Sequence, residues 1–265
     1  MHVTVLIAGI ADPKRPLEKP ASGNWADLAS TPTTPFKLSP FDEAALEIAL
    51  KLRDKNPATF ISALITDGAC DIALMRAVAS YRLDQVVGLC VPATERGNPA
   101  WLAAHALSAV QVPDKPIDLI LIGREHGDLD DGMAPAYLAE SWGWPFVSLA
   151  QHAGEGENGT LIFERTGTRQ DESISLLAPA CASISNNKNN RLRHPLMKNV
   201  MLAKQQKFQA ITPEASIKKP GITIVRAAPP ETSARGETPC RMLEGTVNEQ
   251  ARELASFLKS RQNLS

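Results

Sequence analysis

The fold of this chain is decided by residues 117–140, which read IDLILIGREHGDLDDGMAPAYLAE. The aliphatic run from Ile117 to Ile122 is bounded by Pro116 and Gly123, a pattern typical of a buried parallel strand. A polar turn with three glycines follows, and apolar residues at helical spacing begin after Gly132. In open α/β sheets, a strand, a glycine-bearing loop and a helix in this order hold nucleotides, because loop N–H groups and the helix N-terminus face the ligand. Since the stretch has no P-loop or GxGxxG motif, an ordinary surface connection with solvated acidic residues is the alternative.

Strands and helices alternate on the amino-terminal side of this stretch. Apolar runs predict buried strands at residues 3–10, 60–65 and 86–91. Helices are predicted to begin at Ser39-Pro40 and at Asn98-Pro99, where a capping side chain precedes a proline, and a third is predicted over residues 70–78. Residues 12–37 hold several prolines and predict an irregular surface loop, anchored by Trp25. The alternation predicts an α/β fold, a Rossmann-like doubly wound parallel sheet.

The pattern changes after Pro145. Short strand-like runs at 146–149, 160–163 and 173–177, with a turn-rich hairpin connection at 154–159, predict a smaller strand-rich extension. Residues 179–185 and 222–226 predict two further strands.

The carboxyl-terminal part predicts a separate helical arm. We expect an α/β domain at 1–226, followed at 227–265 by a linker and an arm. Thr246 and Glu249 form a capping box at the start of the last helix. The apolar face of that helix must be covered, and another subunit is favoured over the chain's own sheet.

Composition excludes several classes of protein. The 265 residues are 43% hydrophobic and 22% charged, enough for one good core, and the net charge of −1 argues against a nucleic-acid binder. No apolar run approaches the ~20 residues needed to cross a bilayer. The four cysteines and five histidines are dispersed, without zinc or disulfide spacing. These features predict a cytoplasmic protein with no metal site and no membrane insertion.

Residues 191–204 form a candidate docking segment. Leu196 and Met197 lie beside basic residues on a short predicted helix, and exposed apolar side chains in such a position suit a protein partner. The alternative is a solvated surface helix.

Four stretches in register resemble the beta subunit of electron transfer flavoprotein: 39–52, 123–140, 199–204 and 243–246. The resemblance covers nearly the full length. It implies an adenine-nucleotide α-hydrolase-like fold and a heterodimer with an alpha subunit, which contributes most contacts to a redox-active FAD. It also implies an AMP on the beta side, or a second FAD in electron-bifurcating members. Such a complex takes electrons from a flavin dehydrogenase and passes them to a quinone reductase or another acceptor, so it is a carrier with no catalytic residue of its own.

The resemblance also assigns roles to individual positions. The residues that it places at the adenine nucleotide are Ala8, Ser39, Pro40, Phe41, Asp42, Thr66, Gly123, Asp128, Asp130, Asp131, Gly132, Met133 and Ala134. Phe41 would also lie near the flavin of the alpha subunit. The residues that it places at the surface docking with dehydrogenases are Arg193, His194, Leu196 and Met197. The terminal helix matches an arm that reaches onto the alpha subunit.

Two departures from the family pattern concern the nucleotide. The family usually has Lys soon after the first strand, where this chain has Gly9-Ile10-Ala11-Asp12, and it commonly has Asn at the position of Ser39. In the phosphate loop, residues 132–135 offer almost only backbone N–H donors in place of hydroxyl and amide side chains. Losing two or three hydrogen bonds of about 0.5–1.5 kcal/mol each would weaken AMP binding by orders of magnitude. We therefore hypothesise a divergent beta subunit in which AMP is weak, structural or absent.

Two other functions are compatible with such a fold. An ATP-using enzyme would need a glycine- and serine-rich loop after the first strand, and Ala8-Gly9-Ile10-Ala11 is not one. A stand-alone adenine-nucleotide-binding module without a redox role would have no use for the docking segment or the terminal arm.

Overall fold

The computed structural model describes residues 1–14, 35–69, 71–128, 130, 132–167, 169–213 and 242–262. The strands are β1 (His2–Ile7), β2 (Ile10–Ala11), β3 (Phe36–Lys37), β4 (Phe60–Ile65), β5 (Gln85–Leu89), β6 (Leu119–Gly123), β7 (Phe146–Ala150), β8 (His152–Glu155), β9 (Thr160–Thr166), β10 (Asp171–Leu177), β11 (Ala180–Ile184) and β12 (Gln209–Ile211). The helices are α1 (Pro40–Lys55), α2 (Ile72–Ala79), α3 (Pro99–Ala109), α4 (Ala134–Trp142), α5 (Met197–Gln205) and α6 (Val247–Gln262). The chain divides into two compact units, residues 1–225 and 226–265.

The main sheet has seven strands in the order β12-β5-β4-β1-β6-β11-β7, and each neighbouring pair is parallel. Strands β1, β6 and β11 are buried along their whole length, which explains their continuous apolar runs. The chain passes from β1 to β4 and β5 on one side, and then returns to place β6 on the other side of β1. The predicted doubly wound α/β fold is therefore confirmed, and its strand order reverses between β1 and β6.

Helices cover both faces of this sheet. Side chains of α1 and α2 share one core cluster with alternate residues of β1 and β4, whereas Trp101 of α3 and Leu138 of α4 pack with Leu6 and Ile120 in the other. Helix α1 is buried nearly all round, because β8 and the turn at Lys188–Asn190 contact its outer side. The antiparallel sheet β10-β9-β8 thus forms the strand-rich extension and covers α1.

The structure corrects several predicted elements. The run at 146–149 forms β7 of the main sheet, because it pairs in parallel with β11 rather than with the extension. The strand predicted at 179–185 is confirmed as β11, which also belongs to the main sheet. Strand β1 ends at Ile7, and Gly9 with φ of +74° turns the chain so that β2 pairs with β3 inside the predicted irregular loop. Strands β8 and β12 were not predicted, since neither carries a clear apolar alternation and both depend on pairing with distant segments. Trp25, the strand at 222–226 and the linker at 227–238 lie outside the described residues.

Candidate functional site

A cleft opens at the carboxyl ends of the parallel strands, where α/β sheets bind ligands. Its empty volume is about 520 Å³, including the open mouth. The lining residues come from the ends of β4, β5 and β6 and from α3 and α4: Thr66, Asp67, Val91, Glu95, Gly97, Asn98, Pro99, Trp101, Leu102, His126, Asp130, Met133 and Ala134. Four of these, Thr66, Asp130, Met133 and Ala134, belong to the predicted nucleotide site.

A second group of predicted residues packs together at the start of α1. Ser39 Oγ accepts the N–H of Asp42 at 2.9 Å, and Asp42 Oδ2 accepts the N–H groups of Ser39 at 3.0 Å and Gly9 at 3.2 Å. Burial raises the pKa of Asp42 to about 6. The hydrogen bonds from Ser39 and Gly9 favour the carboxylate and therefore oppose this rise. A Cβ on Gly123 would lie 2.8 Å from that of Phe41, so only glycine allows this close approach of β6 to α1. These contacts join β1 and β6 to α1, with Ala8 fully buried and Pro40 exposed as the first helical residue.

In the acidic loop between β6 and α4, Asp130 accepts four nearby backbone N–H groups. Asp130 Oδ1 accepts the N–H groups of Gly132, Met133 and Ala134 at 3.1, 3.0 and 3.0 Å, and its Oδ2 accepts the N–H of His126 at 2.8 Å. Asp130 thereby caps α4, whose N-cap residue, Met133, makes no side-chain hydrogen bond of its own.

Asp128 plays a similar part in the same loop. Its Oδ2 accepts the N–H of Ala11 at 2.8 Å, which holds the loop against β2. Asp131 lies outside the described residues. Asp128 and Asp130 are therefore acceptors for the chain's own backbone.

Two titratable groups in the cleft were not predicted from the sequence. His126 is buried, its Nε2 lies 3.1 Å from Thr66 Oγ1, and burial lowers its pKa to about 4, although Asp130 opposes the shift. Burial raises the pKa of Asp67 to about 6, with Arg96 opposing and Asp128 adding to the shift. The signal that indicates both is position, because Asp67 lies two residues after the end of β4 and His126 three residues after the end of β6. Within the cleft His126 is thus neutral at pH 7.

The docking segment is held to the domain by an arginine. Arg193 donates to both carboxylate oxygens of the buried Glu47 on α1, with Nη2 2.8 Å from Oε1 and Nε 3.1 Å from Oε2, and Nη1 lies 2.7 Å from Asp54 Oδ2. The bonds to Glu47 raise the pKa of the Arg193 guanidinium. Its guanidinium therefore anchors the segment to α1, whereas His194 is exposed.

Apolar side chains of the same segment point to solvent. Leu196 is 69% exposed and Met197 75%, and Met201 lies one helical turn after Met197 at 52%. On the opposite side of α5, Ala203 is buried in the core. With Leu202 at 41%, the segment has four exposed apolar side chains, and clustered exposed apolar groups mark interaction sites.

The sequence model described as "Electron transfer flavoprotein domain" matches residues 30–216. The chain belongs to this family. It is 25% identical to the electron transfer flavoprotein beta subunit of Mycobacterium tuberculosis (strain ATCC 25618 / H37Rv) over 217 residues, which cover 76% of this chain and 79% of the relative. The mitochondrial beta subunit of Oryza sativa subsp. japonica is 26% identical over 185 residues (69% and 72%), and the beta subunit of Bos taurus is 26% identical over 175 residues (66% and 68%). The predicted resemblance to electron transfer flavoprotein beta subunits is confirmed.

The residues of this electron transfer flavoprotein chain do not fit the phosphate of the predicted AMP. The N–H groups of Gly132, Met133 and Ala134, the donors expected from the sequence, already bind Asp130. None of the described residues that line the cleft is Lys or Arg, whereas three are acidic. A phosphate would therefore meet carboxylates in place of donors.

The carboxyl-terminal unit of this family member contains α6. One half of the predicted capping box is present, because Glu249 Oε2 accepts the N–H of Thr246 at 2.8 Å, whereas the Thr246 hydroxyl donates to the same carboxylate at 2.7 Å. Val247, Leu254 and Leu258 are exposed, so the helix offers an apolar face for another surface. Among the described residues no helix is long and apolar enough to cross a membrane, and no group of three or more His, Cys, Asp or Glu side chains is placed to hold a metal ion.

Proposed function

We propose that this chain is the beta subunit of a heterodimeric electron transfer flavoprotein. The match to the family over residues 30–216 carries the proposal, since it includes both the carboxyl edge of the sheet and the docking segment. An alpha subunit would bind most of the FAD, and the redox chemistry of the complex belongs to that flavin. The complex would accept electrons from a flavin dehydrogenase and pass them to a quinone reductase or another acceptor.

The residues of this chain have two tasks in that role. Leu196 and Met197 would enter an apolar recess on the dehydrogenase, and Arg193 would hold them in place through Glu47. Exposed apolar side chains on α6 would dock on the alpha subunit. Both tasks concern association between proteins. The chain would therefore set how fast the flavin of the dehydrogenase and the FAD of the complex come together, and the FAD would carry the electrons.

The exposed segment separates this function from the alternative of a stand-alone nucleotide-binding module. Such a module would need a phosphate site, and Asp130 takes the amides that would form one. It would also leave the apolar surface around Met197 without a use.

The test is co-expression with a candidate alpha subunit, followed by the absorption spectrum and a count of flavin per complex. We expect a stable heterodimer with one flavin that a dehydrogenase reduces. A chain that forms no complex and retains no flavin would contradict the proposal. Two flavins per heterodimer would instead assign the complex to the electron-bifurcating type.

A further inference from the structure

We propose that the Asp130 carboxylate replaces the nucleotide phosphate at the start of α4, so that this subunit holds no adenine nucleotide. The inference rests on the proposed beta-subunit role, from which a nucleotide is expected. The inference applies equally to AMP and to the adenylate half of a second FAD.

The first support is the number of donors that Asp130 occupies. Both of its oxygens are used, and together they accept four backbone N–H groups between 2.8 and 3.1 Å, those of His126, Gly132, Met133 and Ala134. This concave set of amides at a helix N-terminus is the arrangement that binds phosphate in other proteins. The Asp130 carboxylate, an anionic group of the chain itself, therefore already occupies these donors. The next residue, Pro135, has no N–H to offer.

The second support is the charge around the cleft. Asp67, Glu95 and Asp130 line it, and no described lining residue is a cation, although the charge of Arg96 beside the cleft acts on Asp67. AMP brings a phosphate of about two negative charges, and like charges repel strongly in a partly buried cleft. The nearby Arg124 is exposed and lies 3.8 Å from Glu125, so its charge is partly balanced outside the cleft.

The third support is that two carboxylates fix the described parts of the loop. Asp130 fixes the turn into α4 and Asp128 fixes the loop to Ala11. A ligand that binds the folded protein raises its stability by mass action, so a phosphate site whose donors are taken by Asp130 should gain no stability from added AMP. Millimolar AMP is therefore expected to leave the thermal unfolding temperature of the heterodimer unchanged.

The deciding experiment denatures the purified heterodimer and separates the released FAD and AMP chromatographically. We expect one FAD and no AMP. Equimolar AMP, or a second FAD, would overturn the inference. The FAD count and the AMP count test different proposals. Loss of all FAD would contradict the proposed function, whereas the AMP count decides whether a phosphate is bound at α4.

A pair of variants tests the role of the carboxylate itself. Asp130→Ser removes the charge and keeps a small capping side chain, so we expect AMP or inorganic phosphate to bind at least about tenfold more tightly than to wild type. The control Asp128→Asn removes a charge from the same loop and leaves the Asp130 contacts intact, so we expect no gain in affinity. Equal affinities in wild type and folded Asp130→Ser, measured by equilibrium dialysis, would overturn the blocking role. If Asp130→Ser does not fold, the AMP count on wild type decides.

Discussion

Replacing Met197 by alanine isolates the contribution of the docking segment to electron transfer. The substitution removes three heavy-atom groups from a side chain that is 75% exposed and therefore available to a partner. At about 0.8 kcal/mol per group, multiplied by the exposed fraction of 75%, the lost association energy is up to about 1.8 kcal/mol, or up to about a 20-fold lower apparent second-order rate constant. The fold itself should be unaffected, because a side chain this exposed contributes little to the core.

The assay is reduction of the heterodimer by its dehydrogenase at subsaturating carrier, together with the flavin spectrum and thermal unfolding. Met242 is the matched control, since it is also 75% exposed but lies in the carboxyl-terminal unit. Met242→Ala should leave the rate unchanged. Met201→Ala, at 52% exposed, should give a smaller loss of about five- to eightfold.

Two results would refute this reasoning. An unchanged rate in Met197→Ala would show that the segment does not dock on the dehydrogenase. An equal loss in the Met242→Ala control would show that the assay reports general surface hydrophobicity and not a defined contact.

Three further predictions concern stability and assembly. Because burial raises the pKa of Asp67 to about 6 from 3.8, the folded protein keeps a proton there that the unfolded chain has lost, so wild-type stability falls as pH rises from about 4 to 6. Denaturant unfolding should therefore show that Asp67→Asn gains up to about 3 kcal/mol relative to wild type between pH 4 and pH 7, and a constant difference would contradict the shift. Gly123→Ala should cost about 1–3 kcal/mol in the same measurement, because its Cβ would meet Phe41 at 2.8 Å, whereas Gly154→Ala, with its nearest contact at 3.8 Å, should cost less than 1 kcal/mol. Deleting residues 242–265 should leave thermal unfolding of the α/β unit unchanged and weaken co-purification with the alpha subunit, and undiminished recovery of the complex would exclude the arm as a contact.

The elements that the sequence predicts well are those with a local cause. Helix α1 begins at Pro40 after the Ser39 cap, and β4 covers Phe60–Ile65 as its apolar run indicates. Strand β12 has only three residues, and its two exposed positions carry no period-2 signal. Its existence depends on pairing with β5, which lies about 120 residues earlier and leaves no mark on the local pattern.

The candidate site also has features that the sequence predicts and features that it does not. The sequence indicates which loops meet at the carboxyl edge, because parallel strands bring their ends together. It does not indicate which donors remain available for a ligand. Asp130 was predicted to lie at the phosphate, but its spacing to Gly132 and Ala134 fits a ligand contact and a self-cap equally well, and only the hydrogen bonds distinguish them. His126 was missed because a histidine gains its role from burial, which sequence does not show.

The contacts needed for carrying electrons and those needed for holding AMP lie in different parts of this chain. Carrier function uses exposed apolar residues such as Leu196 and Met197, anchored through Arg193 to α1. AMP has no redox-active ring, so its contribution to a carrier is structural. The Asp130 carboxylate binds the three amides expected for the phosphate and that of His126, so it can fix the start of α4 without a ligand and leaves the docking segment unchanged. Replacement of the phosphate by Asp130 is therefore compatible with a fully working carrier. Met197→Ala should lower the rate of electron transfer without changing the AMP count, and Asp130→Ser should change AMP binding without changing that rate.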